Sequence, residues 1–162
     1  MSRRPKSAET KLDEFDRAIL RILQQDNRTP QRVIGDAVNL SAAAVQRRIA
    51  GMEAGGAIQA NVALVDHDAL SLAITAIVEV LLRDERAETV DEAKALFRAT
   101  PEVQQCYYVT GGVSFVLIII APDMRAYEGL TRRLFAQNER VASYRTLVAL
   151  DRVKAGLSVV VP

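Results

Sequence analysis

The chain of 162 residues has one cysteine, one histidine and no tryptophan, and its aromatic content is only 5%. A lone cysteine, Cys106, excludes an internal disulfide framework and suits a reducing compartment. In its strand-like setting it reads as a small apolar residue. A lone histidine, His67, in the connector VDHDAL, reads as a solvated linker residue, and no His/Cys/Asp group has metal-ligand spacing. Walker loops, GxGxxG fingerprints and nucleophile motifs are missing too, so neither a cofactor nor an enzymatic function is expected. No sign of charge dominates, with 21 Lys+Arg against 20 Asp+Glu. The longest apolar run, Phe115 to Ala121, is far too short to span a bilayer. The opening MSRRPKSAET has no apolar core of a signal peptide. A cytoplasmic protein without membrane attachment is the expectation.

Charge is unevenly placed along the chain. Residues 1–60 carry ten Lys/Arg against seven Asp/Glu, and residues 61–162 carry eleven against thirteen. The mildly basic part, where a nucleic-acid surface is sought, is therefore N-terminal. Residues 1–11 read as a disordered basic tail. From Leu12 the apolar period is helical: in LDEFDRAILRILQQD, Phe15, Ile19, Leu20 and Leu23 share a face and Asp13 is placed to cap. A second helix opens at RTPQRVIGDAV, with Thr29 as cap and Pro30 in the first turn. Ile34 and Val38 point inward, and Gly35 is small, as a close helix crossing needs. Ser41 caps a third helix, SAAAVQRRIAGMEAGG, whose buried stripe is Val45, Ile49 and Met52 and whose end is Gly55-Gly56. Three short helices with a tight turn before the third form a helix-turn-helix over 12–60. The extended AIQANVALVD follows as wing and connector, the connector being 61–71.

Over 72–162 the period becomes that of strands. LAITAIVEVLL is a buried strand, and TVDEAKALFRAT is a helix ended by Pro101. EVQQCYYVT and VSFVLIIIA are strands around Gly111-Gly112. PDMRAYEGLTRRLFAQN is a helix, SYRTLVALDRV a fourth strand and LSVVV a candidate fifth. The order βαββαβ is the ferredoxin-like split unit. The fold class is thus α+β: an N-terminal winged helix-turn-helix followed by a ferredoxin-like βαββαβ domain with an antiparallel sheet. Helices cover one face of such a sheet, and a strand as apolar as FVLIII predicts that a second copy of the chain covers the other.

These residues resemble the Lrp/AsnC (leucine-responsive, feast/famine) transcriptional regulators. The first helix matches that family's opening pattern at Leu12, Asp13, Asp16, Ile19, Leu20, Leu23, Gln24, Asp26 and Arg28. Leu40 and Ser41 hold the turn into the third helix, which keeps Val45, Arg48, Ile49 and Glu53, followed by Gly56 and Ile58. The second half keeps Val109, Gly111, Leu117, PDMRAY from Pro122 to Tyr127, and Arg145-Thr146. The resemblance runs from about residue 12 to 161; no single motif is diagnostic, but the ordered set across two domains is specific. It implies double-stranded DNA as partner, homodimers often assembled into octamers, and a small effector, usually an amino acid, bound where dimers meet.

A recognition helix sets its N-terminal outward side chains against base edges. Here these are Ala42, Ala43, Gln46 and Arg47. Arg47 suits guanine and Gln46 suits adenine in bidentate contacts, each worth roughly 1–3 kcal/mol of discrimination. Arg48, Arg28, Gln31 and Arg32 are candidates for phosphate. The three alanines Ala42, Ala43 and Ala44 can touch thymine methyls but cannot hydrogen-bond, so DNA shape and bending are expected to contribute to readout.

The effector set that the resemblance implies is Thr110, Gly111, Gly112, Ser114, Tyr144 and Thr146, around VTGGVSF. An α-carboxylate needs N–H donors, which the two glycines can offer at close range; an α-ammonium needs an acceptor. Relatives commonly carry acids at the positions of Gly112 and Ser114, and this chain has none there. Tyr144 adds bulk where a small hydroxyl residue is usual. Two readings stand: an effector bound in an unusual way, or a plain hairpin, for which a Gly-Gly pair is an adequate type I′ turn.

The residues also bear on three rival functions. Relatives of the same plan that decarboxylate sirohaem lean on histidines, of which this chain has one. An RNA-binding βαββαβ domain needs aromatics on its central strands, where VSFVLIII is aliphatic. A ligand-independent architectural DNA binder of the same fold is the closest rival.

Overall fold

The computed structural model describes residues 11–162; the basic tail expected at the N-terminus lies, but for Lys11, outside the described residues. The chain forms two compact units, one running up to Leu64 with Ala155–Pro162 added, the other Val65–Lys154.

The first unit holds α1 (Glu14–Leu23), α2 (Gln31–Val38) and α3 (Ala42–Ala54). Asp13 and Asp16 build a reciprocal capping box: the Asp16 N–H donates to Asp13 at 2.9 Å and the Asp13 N–H to Asp16 at 3.1 Å. Two donors that the first turn would leave unpaired are thereby satisfied. Ser41 caps α3 by accepting from the Ala44 N–H at 3.2 Å. Thr29 does not cap α2. Pro30 takes the cap position without a side-chain bond, while the Thr29 hydroxyl turns back to the Asp26 carbonyl at 2.7 Å. Ile19, Ile34 and Val45 are fully buried and Val38 and Met52 nearly so, with Ile49 packed against them. Phe15, expected on the same face, is 42% exposed.

The turn between α2 and α3 explains Gly35. Asn39 ends α2 in the left-handed region with φ 58, and the Leu40 N–H returns to the Gly35 carbonyl at 2.9 Å. A Cβ on Gly35 would lie 2.4 Å from the Leu40 carbonyl oxygen. The glycine is thus required by its own turn, not by a helix crossing. The wing expected from AIQANVALVD is not a paired hairpin, since residues 57–66 form no strand. Among the described residues of this unit there is no strand for it to pair with. Nor does LSVVV form a fifth strand. Side chains bond part of its backbone: the Gln24 carboxamide donates to the Val159 carbonyl at 2.9 Å and accepts from the Val159 N–H at 2.8 Å. Arg21 donates to the carbonyls of Val161 at 3.3 Å and Pro162 at 2.8 Å.

The second unit follows the order β1 (Ile74–Leu82), α4 (Ala87–Ala99), β2 (Val103–Tyr108), β3 (Phe115–Ala121), α5 (Met124–Thr131) and β4 (Val141–Val148). The sheet is antiparallel with strand order β2-β3-β1-β4, the ferredoxin-like arrangement. The pairs Ala76–Ile119, Val78–Leu117 and Val80–Phe115 point to the helices and are buried with Val90 and Phe97 of α4 and Leu130 of α5. The period of two leaves Ile77, Val116, Ile118 and Ile120 half-buried on the helix-free face, beside the exposed Leu147. The Glu79–Arg145 ion pair, at 2.7 Å, is the charged element of that face. Among the described residues no helix is long and apolar enough to cross a membrane.

Candidate functional site

The turn fixed by Gly35 and Asn39 starts α3 with its buried stripe inward. The period of 3.6 residues then sets Ala42, Ala43, Gln46 and Arg47 in solvent. Gln46 and Arg47 make no hydrogen bond or ion pair among the described residues, so their forks are free for an external partner. Arg48 is placed differently. Its guanidinium is bonded to Asp13 and Asp16, each at 2.8 Å, and lies 5.3 Å from the centre of the Phe15 ring. It ties α3 to the start of α1. The Asp16 backbone N–H, with help from Arg48, holds the Asp13 carboxyl below its ordinary value. Around α2, Arg28, Gln31 and Arg32 are exposed. Arg28 and Arg32 have only loose acidic neighbours, Asp26 and Asp36, each at 3.8 Å.

The loop after β2 is not the two-residue turn a Gly-Gly pair can make. The Val109 N–H donates to the Ser114 carbonyl at 3.0 Å, so four residues, Thr110 to Val113, lie between the closing pair. Gly111 at φ +115 and Gly112 at φ +96 occupy backbone that L side chains rarely adopt. No hydrogen bond among the described residues engages the N–H of Thr110, Gly111, Gly112 or Val113. An open groove of about 320 Å³ lies against this loop, lined by Leu81, Glu85, Tyr108, Val109, Thr110, Gly111, Gly112 and Val113.

Glu85 is the residue that the sequence did not disclose. It sits between β1 and α4, far from the loop in sequence, and the pairing of Val80 with Phe115 brings the two together. The Ser114 hydroxyl donates to one Glu85 oxygen at 2.5 Å and the Tyr108 hydroxyl to the other at 2.7 Å. These bonds, that from Ser114 foremost, hold the Glu85 carboxyl below the usual carboxylate range, so it is charged at neutral pH. Glu85 in turn raises the Tyr108 phenol, which stays a donor. Ser114 is buried and also accepts from the Leu82 N–H at 3.0 Å; it shapes the site and does not line it.

Tyr144 and Thr146 are not brought to this loop within one chain. They lie on β4, at the other edge of the sheet, facing the helices. Thr146 shares a 2.6 Å hydrogen bond with the Tyr127 hydroxyl, and Tyr144 packs on Phe135 with ring centres 5.0 Å apart. His67 is not simply solvated: it is half-buried, with the Arg152 guanidinium against its Nδ1.

A helix-turn-helix unit with a free arginine and glutamine on its third helix, in a chain that also carries a ferredoxin-like domain, defines a two-domain helix-turn-helix transcriptional regulator. Comparison with known proteins gives the family. Residues 12–53 match the AsnC-type helix-turn-helix domain and residues 75–159 the Lrp/AsnC ligand binding domain. The chain belongs to the Lrp/AsnC family of transcriptional regulators. It is 43% identical to the HTH-type transcriptional regulator y4tD of Sinorhizobium fredii over 91% of this chain and 88% of that one. Its fold is similar to the crystal structure of an AsnC family regulator from Agrobacterium tumefaciens. There the TM-score is 0.85 at 29% identity, covering 91% of this chain and 96% of that one. A transcriptional regulator of Neisseria meningitidis, solved as a complex with L-Met, is similar with a TM-score of 0.84 at 25% identity and the same coverage.

Proposed function

We propose that this regulator reads double-stranded DNA with α3, Arg47 and Gln46 making the base contacts and Ala42 and Ala43 packing against them. Arg28, Gln31 and Arg32 neutralise phosphates and set the register, a sequence-independent role. Arg48 is left out of this set because Asp13 and Asp16 already hold it. The observation that carries the reading is the unpaired Arg47 side chain on the exposed N-terminal half of α3. It is tested by measuring Arg47→Ala on a duplex selected for tight binding and on random duplex at one salt concentration. A bidentate guanine contact is worth roughly 1–3 kcal/mol, so the selected duplex should lose about five- to 150-fold in affinity and random DNA far less. An equal loss on both would leave Arg47 a phosphate contact.

The groove beside Thr110 to Val113 is the effector site of this reading, and an amino acid is the ligand class. Support comes from the unengaged N–H groups of Gly111 and Gly112 and from the likeness to the Neisseria regulator that holds L-Met. The helix-free sheet face supports a homodimer: Ile77, Val116, Ile118 and Ile120 form an apolar strip of the kind that marks association surfaces. An architectural regulator without a ligand is the alternative, and a thermal-shift screen separates them. A ligand at a hundred times its Kd adds about 2.7 kcal/mol to the unit that binds it.

A further inference from the structure

The loop donors by themselves can hold only one end of an amino acid. The N–H groups of Gly111 and Gly112 suit a carboxylate, and no acid stands within Thr110 to Ser114 for the ammonium. Glu85 is an acid brought to the same groove from another part of the chain. An ionised carboxylate has about four acceptor positions; Ser114 and Tyr108 take one each. Those two hydroxyls fix the carboxylate in place and leave room for further donors. No cation among the described residues pairs with it. The nearby Lys94 lies over the Tyr108 ring at 4.8 Å and pairs with Asp91 at 3.6 Å. The walls between the two ends are apolar: Leu81, Val109 and Val113.

Building on the effector reading above, we infer that Glu85 receives the α-ammonium of a free α-amino acid with an apolar side chain, whose carboxylate lies on the N–H groups of Gly111 and Gly112. Ser114 then has a defined part. With no acid in the loop itself, the serine hydroxyl positions one supplied by the β1–α4 connection. Tyr108 does the same from the strand. The ligand class is correspondingly narrow. A carboxylic acid without the ammonium, or an amine without the carboxylate, satisfies one end of the site only.

The experiment uses the full chain and calorimetric titration with L-valine, L-leucine, L-isoleucine, L-methionine and L-phenylalanine. The tightest of these is then compared with its des-amino acid and its amide, on wild type and on Glu85→Gln. A charge-assisted bond to a fixed carboxylate predicts that wild type prefers the amino acid over the des-amino acid by about ten- to a hundredfold. Glu85→Gln keeps the shape and the acceptor for Ser114 but not the charge, so in that variant the preference should collapse. If wild type binds none of the five, this inference falls, and the effector reading falls with it only if the thermal-shift screen of the remaining amino acids is blank as well. If Glu85→Gln keeps the full preference, this inference falls and the effector reading stands. Should the variant not fold, the wild-type pair decides: equal affinity for the amino acid and its des-amino acid overturns the role of Glu85, and a tenfold preference supports it.

Discussion

Gly35→Ala is the most direct test of how the first unit is built. The added Cβ would fall 2.4 Å from the Leu40 carbonyl oxygen, whereas ordinary contact begins at 3.4 Å. The turn must therefore retreat by about 1 Å, the kind of shift that overpacked sites show. The obstacle is backbone and cannot swing aside. It is held by the Leu40 N–H on Gly35 at 2.9 Å, by Asn39 in the left-handed region, and by the Ser41 cap on the next helix. Overpacking of this kind costs about 1–3 kcal/mol, and a clash with fixed backbone belongs at the upper end. Alanine returns up to about 1 kcal/mol through its better helix propensity, so a net loss of about 1–2 kcal/mol is expected. For a unit of this size each kcal/mol moves the melting temperature by about 4–8 °C. Scanning calorimetry should then show the first unit's transition lowered by roughly 5–15 °C, with the second unit's unchanged. Affinity for DNA should fall as well, because the same turn sets α3 against α2. A variant that melts at or above the wild-type temperature and binds DNA normally would refute the account of this turn.

Two further outcomes follow from the second unit and from the carboxylates. Ile118→Asp puts a charge in the middle of the helix-free face without touching the buried face of β3, and sedimentation should show the homodimer proposed above reduced to a monomer; a wild type that already sediments as a monomer would remove the basis for that proposal. Asp13, Glu79, Asp84 and Glu85 all have depressed carboxyls, held down first by the Asp16 backbone N–H, Arg145, Thr89 and Ser114 respectively. A depressed folded value means that their stabilisation is complete above the unfolded carboxylate range and lost as pH falls through the folded values. Denaturation midpoints should therefore hold steady from neutrality to about pH 5 and drop below it, and a midpoint that rises on acidification past that point would contradict the assigned partners.

Much of the fold was legible because it rests on periodicity. Val45 and Met52 recur at helical spacing, while Phe115, Leu117, Ile119 and Ala121 alternate along one strand. Asp13 and Ser41 cap helices by short-range chemistry that the sequence carries on its face. The misreadings share a different cause, since each turned on where a side chain or segment found its partner in space. Thr29 had two backbone groups within reach and bonded to the earlier one. The partners of Arg48, Asp13 and Asp16 at the start of α1, could not be read from the spacing of α3. LSVVV has the composition of a strand, but a strand needs a neighbour, and here Gln24 and Arg21 supply the backbone partners. The loop glycines show how loop length matters as much as composition: the closing pair Val109–Ser114 encloses four residues, where a two-residue type I′ hairpin would enclose only the glycines.

The effector loop carries the same lesson into function. Within VTGGVSF the glycine and serine positions leave no acid, and the segment by itself suggests a site that has lost its grip on an ammonium. Ser114, however, is buried and donates to a carboxylate; a serine in that position needs an acceptor, and the sheet register decides which one it meets. Strand β1 runs antiparallel to β3, so the end of β1 and the connection after it lie beside the start of β3. That geometry puts Glu85 in the groove. An acid in the loop and an acid held by a loop serine can present the same charge to a ligand, but from different directions. On the effector reading proposed above, the separation between the Glu85 carboxylate and the glycine N–H groups decides whether one α-carbon can place both charged ends, and Leu81 and Val113, which line the groove, are left for the side chain. Specificity in such a site follows from which strand end supplies the acid, and it can change without altering the glycines that hold the carboxylate.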